Sequence, residues 1–101
     1  MERPTITIEG KTYEMLPLIG RSWRILGEFA DNAPNYTDAD FIEKHAAFIA
    51  NFFHVTADEI LDKMSLEEIL PATIAVRSYV INALTAKIAA IEKNSEAVKE
   101  Q

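Results

Sequence analysis

The residues of this chain that could carry out chemistry are two histidines and several carboxylates. His45 and His54 are nine residues apart, so a helix would point them in roughly opposite directions. A zinc site needs three or four converging ligands, and the chain has no cysteine to supply thiolates. We therefore predict no metal site, with His45 at the edge of the core and His54 in a loop.

The carboxylates cluster where helices are expected to begin. Asp38 and Asp40 start like a calcium-binding loop, but Ile42 stands where a third oxygen ligand is required. Segments 56–59 and 65–68 read Thr-Ala-Asp-Glu and Ser-Leu-Glu-Glu, the spacing of a capping box. These acids are predicted to cap helices and stabilise helix dipoles, not to act as general acids or bases.

Catalytic motifs of other kinds do not occur in the sequence. The three glycines form no phosphate-binding loop, and none of the four serines stands in a Gly-x-Ser-x-Gly setting. We therefore predict that the protein is not an enzyme and uses no cofactor.

Composition narrows the class of protein further. The chain has 101 residues, of which 49% are apolar, and we expect one domain spanning residues 1–101. A net charge of −6 argues against nucleic acid and anionic membrane surfaces as partners. No uninterrupted apolar run approaches the roughly 18–20 residues of a membrane span. Together with the lack of cysteine, this composition fits the cytoplasm.

The spacing of apolar residues along the chain predicts the strands and helices that position these residues. Residues 5–15 alternate polar and apolar around Glu9-Gly10, which predicts a β-hairpin. Its apolar side is expected to rest on helices, or its edge to pair with another chain. Spacings of three and four predict helices at 17–31, 38–53, 57–63, 66–70 and 71–93, with a frayed tail at 94–101. The predicted fold class is mainly α: a small helical domain with an N-terminal hairpin and a long C-terminal helix.

Two of these helices have a well-defined apolar face. In the first helix the face runs through Ile19, Trp23, Leu26 and Ala30. In the second, residues 41–53 are rich in phenylalanine and are expected to anchor the core. Pro71 is expected either to head the long helix or to kink into it.

The long helix carries an aliphatic stripe: Ile74, Ile81, Leu84, Ile88 and Ile91. One interpretation is that this stripe belongs to the domain's own core. The other is that the last turns extend past the body, so that Ile81, Leu84, Ile88 and Ile91 form a partner or self-association face. The residues alone leave both interpretations open.

Several segments, taken in order, resemble a known family. They read Ile-Thr-Ile-Glu-Gly-Lys-Thr-Tyr at 6–13, Gly-Arg-Ser-Trp-Arg at 20–24, Asp-Ala-Asp-Phe-Ile at 38–42, Phe-Phe-His-Val-Thr-Ala-Asp-Glu-Ile-Leu at 52–61 and Glu-Lys-Asn at 92–94. Over residues 5–94 the chain is similar to the tail assembly chaperones of long, non-contractile-tailed bacteriophages and their prophages.

This resemblance implies a function in virion morphogenesis. Such chaperones are helix-rich proteins that coat the tape measure protein, keep it soluble and recruit major tail protein subunits. The resemblance thus implies these two partners, self-association as a homo-oligomer, a location in the cytoplasm of the bacterial host, and absence from the mature virion. A frameshifted longer product is common in the family. The alternatives are another phage structural protein at the head–tail junction and a small regulatory protein-interaction module.

Overall fold

The computed structural model describes the backbone of residues 2–99 and the side chains of residues 2–91. The chain begins with the predicted hairpin, in which β1 (Thr5–Ile8) pairs antiparallel with β2 (Lys11–Glu14). Glu9 and Gly10 both adopt positive φ angles, 51° and 81°, as a tight two-residue turn requires. The two isoleucines of β1 are buried, while the threonines on the opposite face are exposed.

The hairpin rests on the helices of its own chain, which was the first of the two expected arrangements. Its isoleucines and the following Met15 belong to the hydrophobic core. The Met15 N–H donates to the Pro4 carbonyl at 3.0 Å, and the Leu16 N–H donates to the Phe52 carbonyl at 2.8 Å. The first bond closes the open end of the hairpin, and the second joins the segment after it to the turn that follows the second helix.

Four α-helices follow within the described residues, so the predicted mainly helical fold with a hairpin and a long last helix is confirmed. They are α1 (Gly20–Asn32), α2 (Asp38–Ala50), α3 (Ala57–Lys63) and α4 (Leu66–Lys99), with a 3-10 turn at Ala33–Asn35 between α1 and α2. Thr37 caps α2 by accepting a hydrogen bond from the Asp40 N–H at 3.2 Å.

Two helix boundaries differ from those predicted. Helix α1 begins at Gly20 and not at 17, because Ile19 is extended and its N–H is satisfied by the Ser22 hydroxyl at 2.9 Å. Helix α2 ends at Ala50 and not at 53. There the chain tightens into a turn, and the carbonyl of Phe52 bonds to the segment after the hairpin instead of continuing the helix.

The predicted break at Pro71 is absent: one helix spans the predicted segments 66–70 and 71–93 and continues into the predicted tail as far as Lys99. A proline inside a helix removes one hydrogen bond and costs about 3 kcal/mol. Here the cost is reduced because Pro71 and Glu67, whose carbonyl loses its partner, are both exposed to water. Ile69 and Val76, buried on either side of the proline, hold both segments against the same core.

An aromatic cluster from α1 and α2 forms the centre of the core, as predicted for the second helix. The ring centroids of Phe29 and Phe48 are 4.4 Å apart, and those of Phe48 and Phe52 are 5.1 Å apart. Tyr36 packs edge-on against Phe29 at 5.8 Å, and partial burial raises the pKa of its phenol above the ordinary value. Phe41, in contrast, is largely exposed.

The buried face of α4 consists of Ile69, Thr73, Val76 and Val80, which are spaced four, three and four residues apart. This face packs against α2, and burial ends at Val80: from Ile81 to Ile91 no side chain is fully buried. At 1.5 Å per residue, α4 is about 51 Å long. It therefore runs along most of the 58 Å length of the molecule and projects beyond the other helices.

A matched pair of substitutions in α4 tests which face is buried. We expect Ile69→Ala to lower the free energy of unfolding by about 2–5 kcal/mol, because it leaves a cavity in the core. Ile74→Ala, five residues away on the exposed side, should change it by less than about 0.5 kcal/mol. Urea denaturation followed by circular dichroism measures both, and equal losses would contradict the assignment of faces.

Candidate functional site

The two histidines occupy structural positions. The Nδ1 atom of His45 lies 2.7 Å from the carbonyl oxygen of Phe41, and its ring packs edge-on against Phe29 at 5.0 Å. His54 is exposed in the turn after α2. The predicted positions, core edge and loop, are therefore confirmed. Among the described residues, no three His, Asp or Glu side chains come together in a way that could hold a metal ion.

The predicted capping roles of the carboxylates are also confirmed. Thr56 Oγ1 accepts a hydrogen bond from the Glu59 N–H at 3.1 Å, and the Glu59 carboxylate accepts one from the Thr56 N–H at 3.2 Å. The Glu68 carboxylate accepts from the Ser65 N–H and from the Ser65 hydroxyl, at 3.3 and 2.9 Å. These acids satisfy the free backbone groups of α3 and α4.

Buried polar side chains in the described part of the chain are all hydrogen-bonded. The Thr73 hydroxyl, in the middle of the buried face of α4, donates to the Ile69 carbonyl at 3.1 Å. The Ser22 hydroxyl accepts from the N–H group that precedes α1. Both hydroxyls are thus used within helices, and neither is directed at a ligand.

An apolar groove lies between α1 and α4, and larger hollows of about 320 and 450 Å³ with more polar linings lie elsewhere on the surface. The apolar groove encloses about 240 Å³ and is lined by Leu18, Ile19, Ser22, Trp23, Val80, Ala83, Leu84 and Lys87. We call it the α1–α4 groove. This volume is below the roughly 300–1,000 Å³ typical of small-molecule sites. The groove therefore fits a few side chains of a partner better than a cofactor.

Two residues of the groove belong to the apolar face that the sequence predicts for the first helix, and both are exposed. Trp23 is 49% exposed and Ile19 is 67% exposed. The buried line of α1 runs instead through Ser22, Leu26 and Phe29, also at helical spacing. Sequence reasoning missed this line because its first member is a serine. The regular four- and three-residue spacing of the buried line was the signal that could have identified it.

The aliphatic stripe of α4 is also largely open to water. Ile81 and Ile88 are 41% and 46% exposed, and Ile91 is 64% exposed. Leu84 is half-buried and lines the groove, so it connects the stripe to the groove. The groove and the stripe together form one apolar surface on the side of the molecule where α4 projects. Contiguous exposed apolar surface of this kind marks interaction sites.

The same helix bears on the expectation that the chain does not interact with membranes. By length and composition alone, Leu66–Ile91 could cross a membrane, with a mean hydropathy of 1.4. The sequence still contains no uninterrupted apolar run of that length, because polar residues such as Ser78 and Asn82 interrupt it, but they leave its average hydropathy high. Ile69 and Val80 of this segment lie in the core, however, so a spanning helix would require the core to open.

Comparisons with known proteins do not extend this description: no family model matches the chain, and neither does any curated protein or solved structure. The function has to be argued from the chemistry of the surface itself.

The exposure of the stripe can be tested with an environment-sensitive dye. We expect the native protein to enhance the fluorescence of ANS, which binds exposed apolar surface. Ile88→Glu should abolish most of this enhancement, because it places a charge in the middle of the surface. Leu66→Glu is the matched control, since Leu66 is at least as exposed as Ile88 but lies at the other end of α4. An enhancement that survives Ile88→Glu unchanged would contradict the site.

Proposed function

We propose that the protein is a non-enzymatic assembly chaperone that covers an apolar helix of a client protein. The observation that carries this proposal is the row of large aliphatic side chains left in water on the projecting part of α4. Each Å² of apolar surface removed from water contributes about 25 cal/mol. A client helix with its own apolar face would cover the row and be covered by it.

The shape of the surface supports a helix as the occupant. Ile81, Leu84, Ile88 and Ile91 repeat at steps of three and four, the spacing that interlocks with the side chains of a second helix. Across the groove, Trp23 of α1 and the preceding Ile19 provide a second wall. An amphipathic helix lying along α4 would contact both walls, which is the helix-in-groove mode of recognition.

The total surface area is consistent with an uncovered interface. The chain exposes 7077 Å², whereas a compact protein of 11.3 kDa is expected to expose about 5,700 Å². The radius of gyration, 16.3 Å, likewise exceeds the roughly 13 Å of a compact domain of this length. The excess area is of the order that one partner contributes to a stable interface, about 800 Å².

The resemblance to phage tail assembly chaperones supports a specific client. On this proposal the client is the tape measure protein, a long helical protein that needs its apolar faces covered until tail tube subunits assemble around it. Several copies of the chaperone would act along one client in the bacterial cytoplasm and leave before the virion matures. The expected homo-oligomer and the recruitment of major tail protein stay predictions.

Co-expression tests the proposal. With the wild-type protein, we expect a co-expressed tape measure protein to be recovered in the soluble fraction and to co-purify. The double substitution Ile81→Glu/Ile88→Glu should reduce both by about tenfold or more, because two charges would be buried against apolar client surface. Leu66→Glu, which changes an exposed residue outside the surface, should behave like the wild type.

Two results would contradict the proposal. One is an equally soluble client in the absence of the chaperone. The other is full co-purification with the double variant, provided that circular dichroism shows the variant to be folded. Recovery of the protein in stoichiometric amounts in purified virions would instead favour a structural component.

A further inference from the structure

The acidic residues of this protein are unevenly distributed along the chain, and they are missing from the stretches that form the apolar surface. Residues 15–27 and 69–91 contain Arg21, Arg24, Arg77 and Lys87 but no Asp or Glu. All sixteen acidic residues of the chain lie in the remaining segments. These two acid-free stretches form the walls of the α1–α4 groove and the whole aliphatic stripe. The described part of the apolar surface is therefore bordered by basic side chains and by no acidic residue of these two stretches, although the protein is acidic overall and Glu92 follows directly on Ile91.

Two of the basic residues lie within the surface itself. Lys87 lines the groove beside Leu84. Arg77 is exposed. It lies three residues after Ile74 and four before Ile81, which places it on the same side of α4 as the stripe. Among the described residues, neither Arg77 nor Lys87 forms an ion pair.

On α1 the basic residues stand on either side of Trp23. Arg21 is exposed at the start of the helix. The Nε atom of Arg24 lies 3.1 Å from a carboxylate oxygen of Glu28, so its charge is partly neutralised. Arg21 lines a different cavity, between α1 and the turn after α2, so Arg77 and Lys87 are the basic residues that lie in the surface itself.

We propose that the helix recognised by this surface carries aspartate or glutamate residues beside its apolar face. This inference rests on the proposed function and specifies the chemistry of the client segment. Acids at the edges of the client's apolar face would meet Arg77 and Lys87 as its aliphatic residues cover the stripe. A basic amphipathic helix of the same apolar pattern would be repelled.

The same charges argue against a second copy of this chain as the occupant. If two copies paired through their stripes, each would bring Arg77 and Lys87 and no acidic residue from the segment between Ile69 and Ile91. Like charges that face each other across a helical interface destabilise the interface, so pairing with a partner of opposite charge is favoured. An anionic lipid surface would satisfy the charges, but it offers no apolar helix to interlock with the stripe.

Binding of two model peptides to the full chain tests the proposal. Both are tryptophan-free, fluorescein-labelled amphipathic helices with the same leucine heptads, and they differ only in having Glu or Lys at the flanking positions. Fluorescence anisotropy at about 50 mM salt should show the Glu peptide binding about five- to tenfold more tightly, as expected of two exposed ion pairs. The preference should shrink at about 300 mM salt because the charges are screened.

Charge reversal on the protein provides the second arm. Arg77→Glu/Lys87→Glu should abolish or reverse the preference between the peptides. Lys11→Glu/Lys44→Glu makes the same change in net charge at exposed positions away from the surface, and it should keep most of the preference. Circular dichroism of both variants should match the wild type, because all four residues are exposed.

The outcomes separate this inference from the proposed function. Equal binding of both peptides, lost with Ile81→Glu/Ile88→Glu, would overturn the acidic-client inference and leave helix binding intact. If neither peptide binds, both the inference and the proposed function are overturned, and tighter binding of the Lys peptide would overturn the inference alone. A stable dimer that Ile88→Glu dissociates would assign the surface to a second copy. Binding to phosphatidylglycerol vesicles in preference to the Glu peptide would assign it to lipid. Either assignment overturns the inference.

Discussion

The structure depends on the packing of one half of one helix. Ile69, Val76 and Val80 of α4 are buried against α2 and the aromatic cluster, and no other element reaches far enough to cover the turns that follow. The backbone hydrogen bonds of a helix keep those turns regular without packing, provided that their residues favour helix, and alanines occupy many of the positions there. The result is a rigid projection that carries aliphatic side chains into water.

This arrangement gives the protein a defined surface that is separate from its structurally employed polar groups. Its carboxylates cap helices, its buried hydroxyls bond within helices, and His45 is held by a backbone carbonyl. Within the described structure, the apolar surface and the basic residues that border it have no comparable role in holding the fold together. Apolar contacts would provide the affinity for a client helix, and the charges would provide the specificity for one client over another.

Local signals predicted the local features well. The Glu9-Gly10 turn, the capping box at Thr56 and the loop position of His54 each depend on neighbouring residues, which the sequence shows directly. At Ser65 only half of the predicted box forms, because the Glu68 N–H donates to the Ser65 carbonyl and not to its hydroxyl. The choice of buried face could not be predicted in the same way. Helices α1 and α4 each carry two regular lines of residues, and in each helix the buried line contains a hydroxyl residue, Ser22 or Thr73, that made it look less apolar. Only the position of the neighbouring helices decides between such lines.

The continuity of α4 through Pro71 depended likewise on core contacts on both sides of the proline.

The central claim is that a client helix lies in the α1–α4 groove, and the fluorescence of Trp23 reports on that groove directly. Trp23 is the chain's single tryptophan and stands half-exposed in the groove wall. The account predicts that a tryptophan-free helical fragment of the client shifts its emission to shorter wavelength and shields it from acrylamide. A fragment that binds with an affinity unaffected by Ile81→Glu/Ile88→Glu, and leaves the emission and quenching of Trp23 unchanged, would contradict the account.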